Sequence, residues 1–489
     1  MHGLGFSDVC TWVGGIMSDI ILPEPFGYQI YGRRKVHERH RTAVIGPPGC
    51  GKTRIIVEGL NDLGAFSKLT LVLCSSPAVA TWLRQIPLWT SSPEYSPFIY
   101  QVEGHKGDRM DLWKQAAQTG YGTYITNLNC FYRDYTVIKQ IPWVSVVADE
   151  YHKTMRSHKV HVKDKTGRPR LKTYGMFVQM TRHVPNLVLA TGSLMRRSAV
   201  SMFTAFQSVA PKRFSSYWRY AHKYAYVDDS GFGQQVGGVR NAAELRNLMD
   251  EFFVYLPPEV VADALPEGLR YGIDVEPTKE QKRIYRDLER DLMHITPDGN
   301  VIVSPTILSK IVKQRQLMCC PKILDPSLGM GAGFDAIVDK LDQDPHVAIF
   351  VPFRPACDYV KEALEKLGYK HVYILRGGVT PEEQTQIRSE FANHRGIVVC
   401  TIDYAESFDL ETCKTSYFLG YHLTADQNEQ AEGRTRRAIS EHEFVTWGYI
   451  KTNTPLDLHF LAKLGDDVRN AKLVMGRSDD YIRKITEAK

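Results

Sequence analysis

The stretch Thr42-Ala43-Val44-Ile45-Gly46-Pro47-Pro48-Gly49-Cys50-Gly51-Lys52-Thr53-Arg54-Ile55-Ile56-Val57 decides the fold. It opens as an apolar run that reads as a buried strand, passes through a Gly/Pro turn, and ends as an amphipathic helix. The octet from Gly46 to Thr53 fits G-x-x-x-x-G-K-[ST] at every position. Glycines let backbone N–H groups converge on an anion. The helix N-terminus adds positive potential. In this arrangement Gly46, Pro47, Pro48, Gly49, Cys50, Gly51, Lys52 and Thr53 form a phosphate-binding loop. Lys52 reaches the β- and γ-phosphates of ATP, the Thr53 hydroxyl ligates Mg²⁺, and Cys50 is a small filler. A plain Gly/Pro turn before a helix would give part of this pattern, but not the Lys-Thr pair after a strand.

Working outward, residues 69–74, 123–126, 144–148 and 187–190 read as further buried strands, with helical patterns at 53–60 and 79–83 between them. The alternation returns with strands at 347–353, 372–375, 397–401 and 416–420 and helices at 356–367 and 381–391, the second capped by Thr380. The expected fold class is therefore α/β: two RecA-like (P-loop) lobes, each a mostly parallel sheet with helices on both faces. The expected domains are residues 1–200, a mainly helical insertion and joint at 201–335, and residues 336–489. Helical patches at 243–252 and 280–293 lie in the insertion, and residues 325–334, rich in glycine and proline, read as a flexible joint.

Val144-Ser145-Val146-Val147-Ala148-Asp149-Glu150-Tyr151-His152 is an apolar strand ending in two acids. Beside a phosphate loop, Asp149 would hold Mg²⁺ and Glu150 would polarise the attacking water. Two carboxylates at a buried strand end are costly without a compensating cation. Near the end of the chain, Gln430-Ala431-Glu432-Gly433-Arg434-Thr435-Arg436-Arg437 is either a solvated helix face or a source of guanidinium groups for a γ-phosphate across a cleft. Residues 153–172 carry Lys153, Arg156, Lys159, Lys163, Lys165, Arg168, Arg170 and Lys172 against the single acid Asp164, and read as two short strands around a Gly-Arg-Pro turn. Such a run is usually a solvated face; following the catalytic acids directly, it suits a phosphate backbone.

Composition narrows the class. At 489 residues, 43% hydrophobic and 24% charged, the chain is ordinary globular protein and too long for one core. A net charge of +6 permits an anionic partner without demanding one. No apolar run is long enough to cross a bilayer, and residues 1–22, which lack a basic leader and carry Asp8 and Asp19, read as folded structure. Nine cysteines without a CxxC pair, Cys319 and Cys320 adjacent, fit buried thiols in an intracellular, cytoplasmic compartment. A compact chain with no obvious appended targeting domain would suit a phage, viral or bacterial source.

Taken in order, these segments resemble the superfamily-two DExH-type helicases, and within them the remodeller-type double-strand DNA translocases, over most of the chain from Tyr28 onward. The resemblance implies that Gln29 reads adenine, and that Leu71-Val72-Leu73-Cys74-Ser75-Ser76-Pro77 with Trp82, and Ile125-Thr126-Asn127, lie along a nucleic-acid backbone. It makes Asp149, Glu150 and His152 the metal ligand, general base and coupling residue. Thr191-Gly192-Ser193 resembles the motif that couples hydrolysis to lobe movement, and the helical segment 308–324, with Gln316 and Cys319-Cys320-Pro321, resembles the entry into the second lobe of remodeller-type motors. There Phe350-Val351-Pro352-Phe353 and Arg376-Gly377-Gly378 match strand-end motifs. Ala405-Glu406-Ser407-Phe408-Asp409 resembles a motif whose aspartate binds the ATP ribose, which implies that role for Asp409, and Gln430, Gly433, Arg434 and Arg437 match the QxxGRxxR finger motif.

Three departures stand out. Ser407 occupies a usual glycine position. Ser193 replaces threonine, with no proline after it. The Pro47-Pro48 loop is more typical of other phosphate-loop ATPases. The resemblance implies an ATP hydrolase using Mg²⁺, a monomeric helicase or translocase on double-stranded or branched DNA, with no membrane. An RNA helicase, a nucleotide-controlled clamp that does not move, and a ring-forming ATPase are the competing classes.

Overall fold

The computed structural model describes residues 24–476, apart from 91–97, 152–154, 156–158, 160, 164–168, 193–194, 196–197, 230–233, 296–300, 305, 343–344, 405–409 and 438–439. The readings placed on residues 1–22, His152, Ser193, Ser407 and Asp409 therefore lie outside the described residues. The chain divides into two compact units, the first holding most residues up to Val261 and the second most residues from Ala262 to Arg469. Residues 201–335 are shared between them.

Strands in the first unit are β1 (Arg41–Ile45), β2 (Leu69–Cys74), β3 (Ile99–Val102), β4 (Gly122–Asn127), β5 (Ser145–Ala148), β6 (His161–Lys163), β7 (Pro169–Leu171), β8 (Asn186–Thr191), β9 (Tyr226–Asp229), β10 (Gln234–Gly237) and β11 (Phe253–Tyr255). Seven of them form one sheet in the order β11-β1-β8-β5-β2-β4-β3, parallel throughout. β2, β4, β5 and β8 are buried at every position, because helices cover both sheet faces. β6–β7 and β9–β10 are separate antiparallel hairpins. The first confirms the two-strand reading of the basic run; its turn lies outside the described residues.

The second unit contributes β12 (Glu267–Asp274), β13 (Met293–Ile295), β14 (Val301–Val303), β15 (Val347–Val351), β16 (Val372–Leu375), β17 (Ile397–Thr401), β18 (Thr415–Phe418) and β19 (Phe444–Lys451). Its sheet runs β12-β19-β18-β15-β17-β16, again parallel. Helix Pro381–His394 starts as its sequence requires: the Thr380 hydroxyl accepts from Glu383 N at 3.2 Å and the Glu383 carboxylate from Thr380 N at 2.8 Å. Residues 325–334 are ordered locally: Asp325 accepts both the N–H and the hydroxyl of Ser327, and Phe334 is buried. The α/β architecture is thus as expected, with two parallel sheets.

Candidate active site

In a parallel sheet every strand delivers its following loop to the same edge. Across the first unit that edge carries, in spatial order, the phosphate loop after β1, Thr191-Gly192 ending β8, Asp149-Glu150 after β5, Ser75-Ser76 after β2 and Thr126-Asn127 ending β4. Neighbouring loops are tied together: Gly46 N–H donates to the Thr191 carbonyl at 3.3 Å and Asp149 N–H to the Leu73 carbonyl at 2.8 Å.

The loop turns into helix Lys52–Asn61 through Gly51, whose φ of +78° is left-handed and favours glycine. Lys52 folds its ammonium back on the loop, donating to the Gly46 and Pro47 carbonyls at 2.9 and 3.1 Å. Cys50 is buried, as a filler should be. Helix Gly27–Arg39 lies close against this one, because a Cβ at Gly32 would meet Ile55 at 2.8 Å and one at Gly59 would meet Val36 at 2.7 Å. That packing brings Gln29, only 6% exposed, against Gly51, while its side-chain oxygen accepts from Phe26 N at 3.1 Å. Gln29 is therefore a buried neighbour of the loop, not an exposed polar residue. Tyr28 is core.

At the end of β5, burial pushes the Asp149 carboxyl above the usual aspartate range. The charge of Glu150 adds to the rise, while the Trp82 indole, the Glu150 backbone N–H and the Lys52 ammonium oppose it. Trp82 Nε1 donates to Asp149 Oδ2 at 2.8 Å and Glu150 N–H to Asp149 Oδ1 at 2.9 Å. Glu150 holds φ at +45°, a conformation that costs on the order of 1 kcal/mol for a non-glycine residue. A desolvated carboxylate beside a second acid, with Lys52 near enough to feel it and Thr53 on the adjoining helix, fits a magnesium ion. Trp82 is 1% exposed, so it faces the acid pair and not a nucleic-acid groove.

The other strand-end residues are less available. The Thr126 hydroxyl donates to the Val102 carbonyl at 2.7 Å, and Asn127 caps helix Leu128–Ile138 by accepting from Cys130 N at 3.0 Å. In the second unit, Arg376 is half-buried and pairs with Asp358 at 2.8 Å, next to an exposed Gly377-Gly378 turn.

The arginine motif closes helix Ala425–Glu432, which follows β18. Gln430 and Arg434 are buried, and Arg437 is partly exposed. Arg436 plays a different part: its Nε donates to the Pro266 carbonyl at 2.6 Å. The turn is fixed at several points. Arg270 of β12 grips the buried Glu432 carboxylate with two hydrogen bonds of 2.6 Å, and Tyr449 adds one of 2.7 Å. The Trp447 indole donates to the Thr435 hydroxyl at 3.0 Å, and Leu410 N–H to the Arg434 carbonyl at 2.9 Å. The sequence gives no signal for Arg270, which lies 162 residues from Glu432.

These features define a P-loop ATPase of the helicase type. The SNF2-related domain matches residues 48–323, more than half of the chain, and the helicase conserved C-terminal domain matches residues 333–439. The chain belongs to the SNF2-related family, whose members use ATP. It is 21% identical over 261 residues to chromodomain-helicase-DNA-binding protein 7 of Homo sapiens, covering 51% of this chain and 8% of that protein. The chromodomain-helicase-DNA-binding protein 3 homolog of Caenorhabditis elegans is 18% identical over 473 residues, 85% of this chain and 25% of its own length. The chain thus spans only a small part of these relatives. A solved structure, the Sulfolobus solfataricus SWI2/SNF2 ATPase core in complex with dsDNA, aligns with 96% of this chain and 100% of its own at 17% identity and a TM-score of 0.40.

Proposed function

We propose that the chain is an ATP-driven motor that translocates along double-stranded DNA. The observation that carries this reading is the single sheet edge that presents the phosphate loop, the acid pair and the strand-end segments side by side. Family membership and the DNA-binding relatives support it.

The roles follow from position and chemistry. The loop N–H groups and Lys52 hold the phosphates, and Gln29 and Asp409 hold the adenosine. Glu150 accepts a proton from the attacking water. A magnesium ion held through Thr53 and Asp149 would supply charge neutralisation on the phosphates. Arg434 and Arg437 stabilise the developing charge, oriented by Gln430. The basic hairpin β6–β7 grips the phosphate backbone, which carries no base information. The protein works as a monomer inside the cell.

The test is ATPase rate with duplex DNA, branched DNA, single-stranded DNA and RNA, combined with displacement of a triplex-forming strand. Duplex-stimulated hydrolysis with strand displacement is expected. Stimulation by RNA alone would make it an RNA helicase, and hydrolysis without displacement would make it a clamp.

A further inference from the structure

Between Asp164 and Asp228 the sequence has no acidic residue, yet it has eleven lysines and arginines. The far end of this stretch is helix Tyr217–Tyr224 with the following β9–β10 hairpin, well away in sequence from every motif assigned above. Here exposed aromatic rings and cations follow one another along the chain. Trp218 is 45% exposed although its ring is held in place, edge-to-face with Tyr217 at 5.1 Å and beside His222 at 6.1 Å. Tyr226 is 57% exposed, with the Arg240 guanidinium 5.8 Å from its ring centroid. Arg240 is anchored at the helix end, its N–H donating to the Tyr224 carbonyl at 2.8 Å. Lys212 and Arg219 are exposed and form no ion pair among the described residues. By contrast, Arg213 and Lys223 are paired with Glu251 and Glu244.

We propose that this face is a second nucleic-acid site, one that takes an unpaired strand. A solvent-facing indole on the helix and a solvent-facing phenol at the start of β9 serve no core. A duplex buries its base faces against one another, so exposed rings gain little from it. An unpaired strand offers both partners this surface wants: base faces for Trp218 and Tyr226, and phosphates for Lys212, Arg219 and Arg240. The inference rests on the chain being a nucleic-acid motor, and it adds a function that the ATP site does not supply. A strand displaced or frayed ahead of the motor would be held here.

The experiment uses the full chain and two probes, an oligothymidylate of about 20 nucleotides and a duplex of about 20 base pairs, longer than the ~4–16 nucleotides a single-strand module covers. Affinities are measured at several salt concentrations for the wild type, the Trp218→Ala/Tyr226→Ala variant and the Lys212→Gln/Arg219→Gln/Arg240→Gln variant. All five side chains are exposed, and circular dichroism checks that both variants keep the fold. The aromatic variant should lose roughly ten-fold or more in oligothymidylate affinity, since each stacked base contributes severalfold. Its duplex-stimulated ATPase should stay within about two-fold of wild type. The cationic variant should flatten the single-strand salt slope by about 2, at ~0.7 per lost contact. Unchanged oligothymidylate binding in the aromatic variant, as expected of a face made for a protein partner, overturns the proposal. So does a wild type that binds duplex but not oligothymidylate. A wild type that binds neither overturns the motor reading, and this proposal with it.

Discussion

The Trp82 indole donates a hydrogen bond to Asp149 Oδ2 at 2.8 Å, joining the helix after β2 to the acid that ends β5. The contact satisfies one carboxylate lone pair inside a desolvated site and opposes the rise that burial imposes on the carboxyl pKa. It also fixes the orientation of the carboxylate, as outer partners of metal ligands commonly do.

Trp82→Phe keeps the ring and removes the donor. The magnesium concentration for half-maximal ATPase should rise on the order of ten-fold, with the ATP KM little changed. The acid limb of the pH–rate profile should move to higher pH, because a group that held the Asp149 pKa down is gone. A variant with wild-type metal dependence and an unmoved acid limb would reduce Trp82 to core packing.

Asp149 also bears on stability. Its folded-state pKa lies above its unfolded value, so the folded chain prefers the protonated acid. Stability from this group is present below the ordinary aspartate value near 3.9 and is lost as pH rises through the raised folded value. At neutral pH and without metal, the ionised acid is a burden. Asp149→Asn keeps an acceptor for the indole and removes the charge. It should abolish ATPase activity while raising the metal-free Tm at pH 7 by roughly 2–4 °C. The difference should shrink on acidification. A Tm that falls at pH 7 would mean that the carboxylate is already compensated.

Glu150 separates binding from chemistry. Lys52→Ala should abolish hydrolysis by weakening the phosphate grip. Glu150→Gln preserves shape and the local hydrogen bonds, so nucleotide binding should persist while turnover falls by about 100-fold or more. Isothermal titration with ATP, paired with single-turnover hydrolysis, measures the two. Normal turnover in Glu150→Gln would remove it as base.

What could be read from sequence was local. The buried strands β2, β4, β5 and β8 were legible because burial on both faces favours short runs of aliphatic, aromatic and β-branched residues. The phosphate loop was legible because its chemistry sits within eight consecutive residues. The edge strands β11 and β12 were not. β12, Glu-Gly-Leu-Arg-Tyr-Gly-Ile-Asp, is mostly exposed and has no apolar run; its pairing with β19 makes it a strand. β11 has only three residues and takes its place by pairing with β1. The same limit hid the supporting contacts of the site. Trp82 and Asp149 are 67 residues apart, and Arg270 and Glu432 are 162 apart. Likewise, Gln430-Ala431-Glu432-Gly433-Arg434-Thr435-Arg436-Arg437 shows three arginines, but only the fold shows that Arg436 is spent on the Pro266 carbonyl.

The basic hairpin offers a test of how the motor grips its track. Lys163 lies in β6 and Arg170 in β7, while Lys165 and Arg168 lie outside the described residues. If they contact duplex phosphates, replacing all four with serine should flatten the duplex salt slope by about 3–4, at ~0.9 per contact. Affinity should fall equally for duplexes of different sequence. DNA-stimulated ATPase should fall with it, while the basal rate stays near wild type. Equal affinity and slope in both proteins would make the hairpin a solvated loop.

Arg270 provides the last prediction. Its guanidinium is half-exposed, but the carboxylate it grips is buried, and the hydrogen bonds to Glu432, with its charge, raise the Arg270 pKa in turn. Glu432 immediately precedes Gly433-Arg434, so the pair sets where the arginine turn begins. Without Arg270, Glu432 keeps only the Tyr449 hydroxyl among these partners, and a buried unpaired charge will move. A shift of about 1 Å at catalytic arginines can cost on the order of 100-fold in rate. Arg270→Ala should therefore lower kcat by ten-fold or more and leave the ATP KM near wild type, because the phosphate loop is untouched. Arg270→Lys, which keeps the charge but not the two-pronged geometry, should recover part of the loss. If Arg270→Ala keeps wild-type kcat while its Tm falls, the pair holds β12 and nothing more. If kcat falls and Arg270→Lys restores it in part, the turn that presents Arg434 and Arg437 depends on a strand that carries no motif of its own.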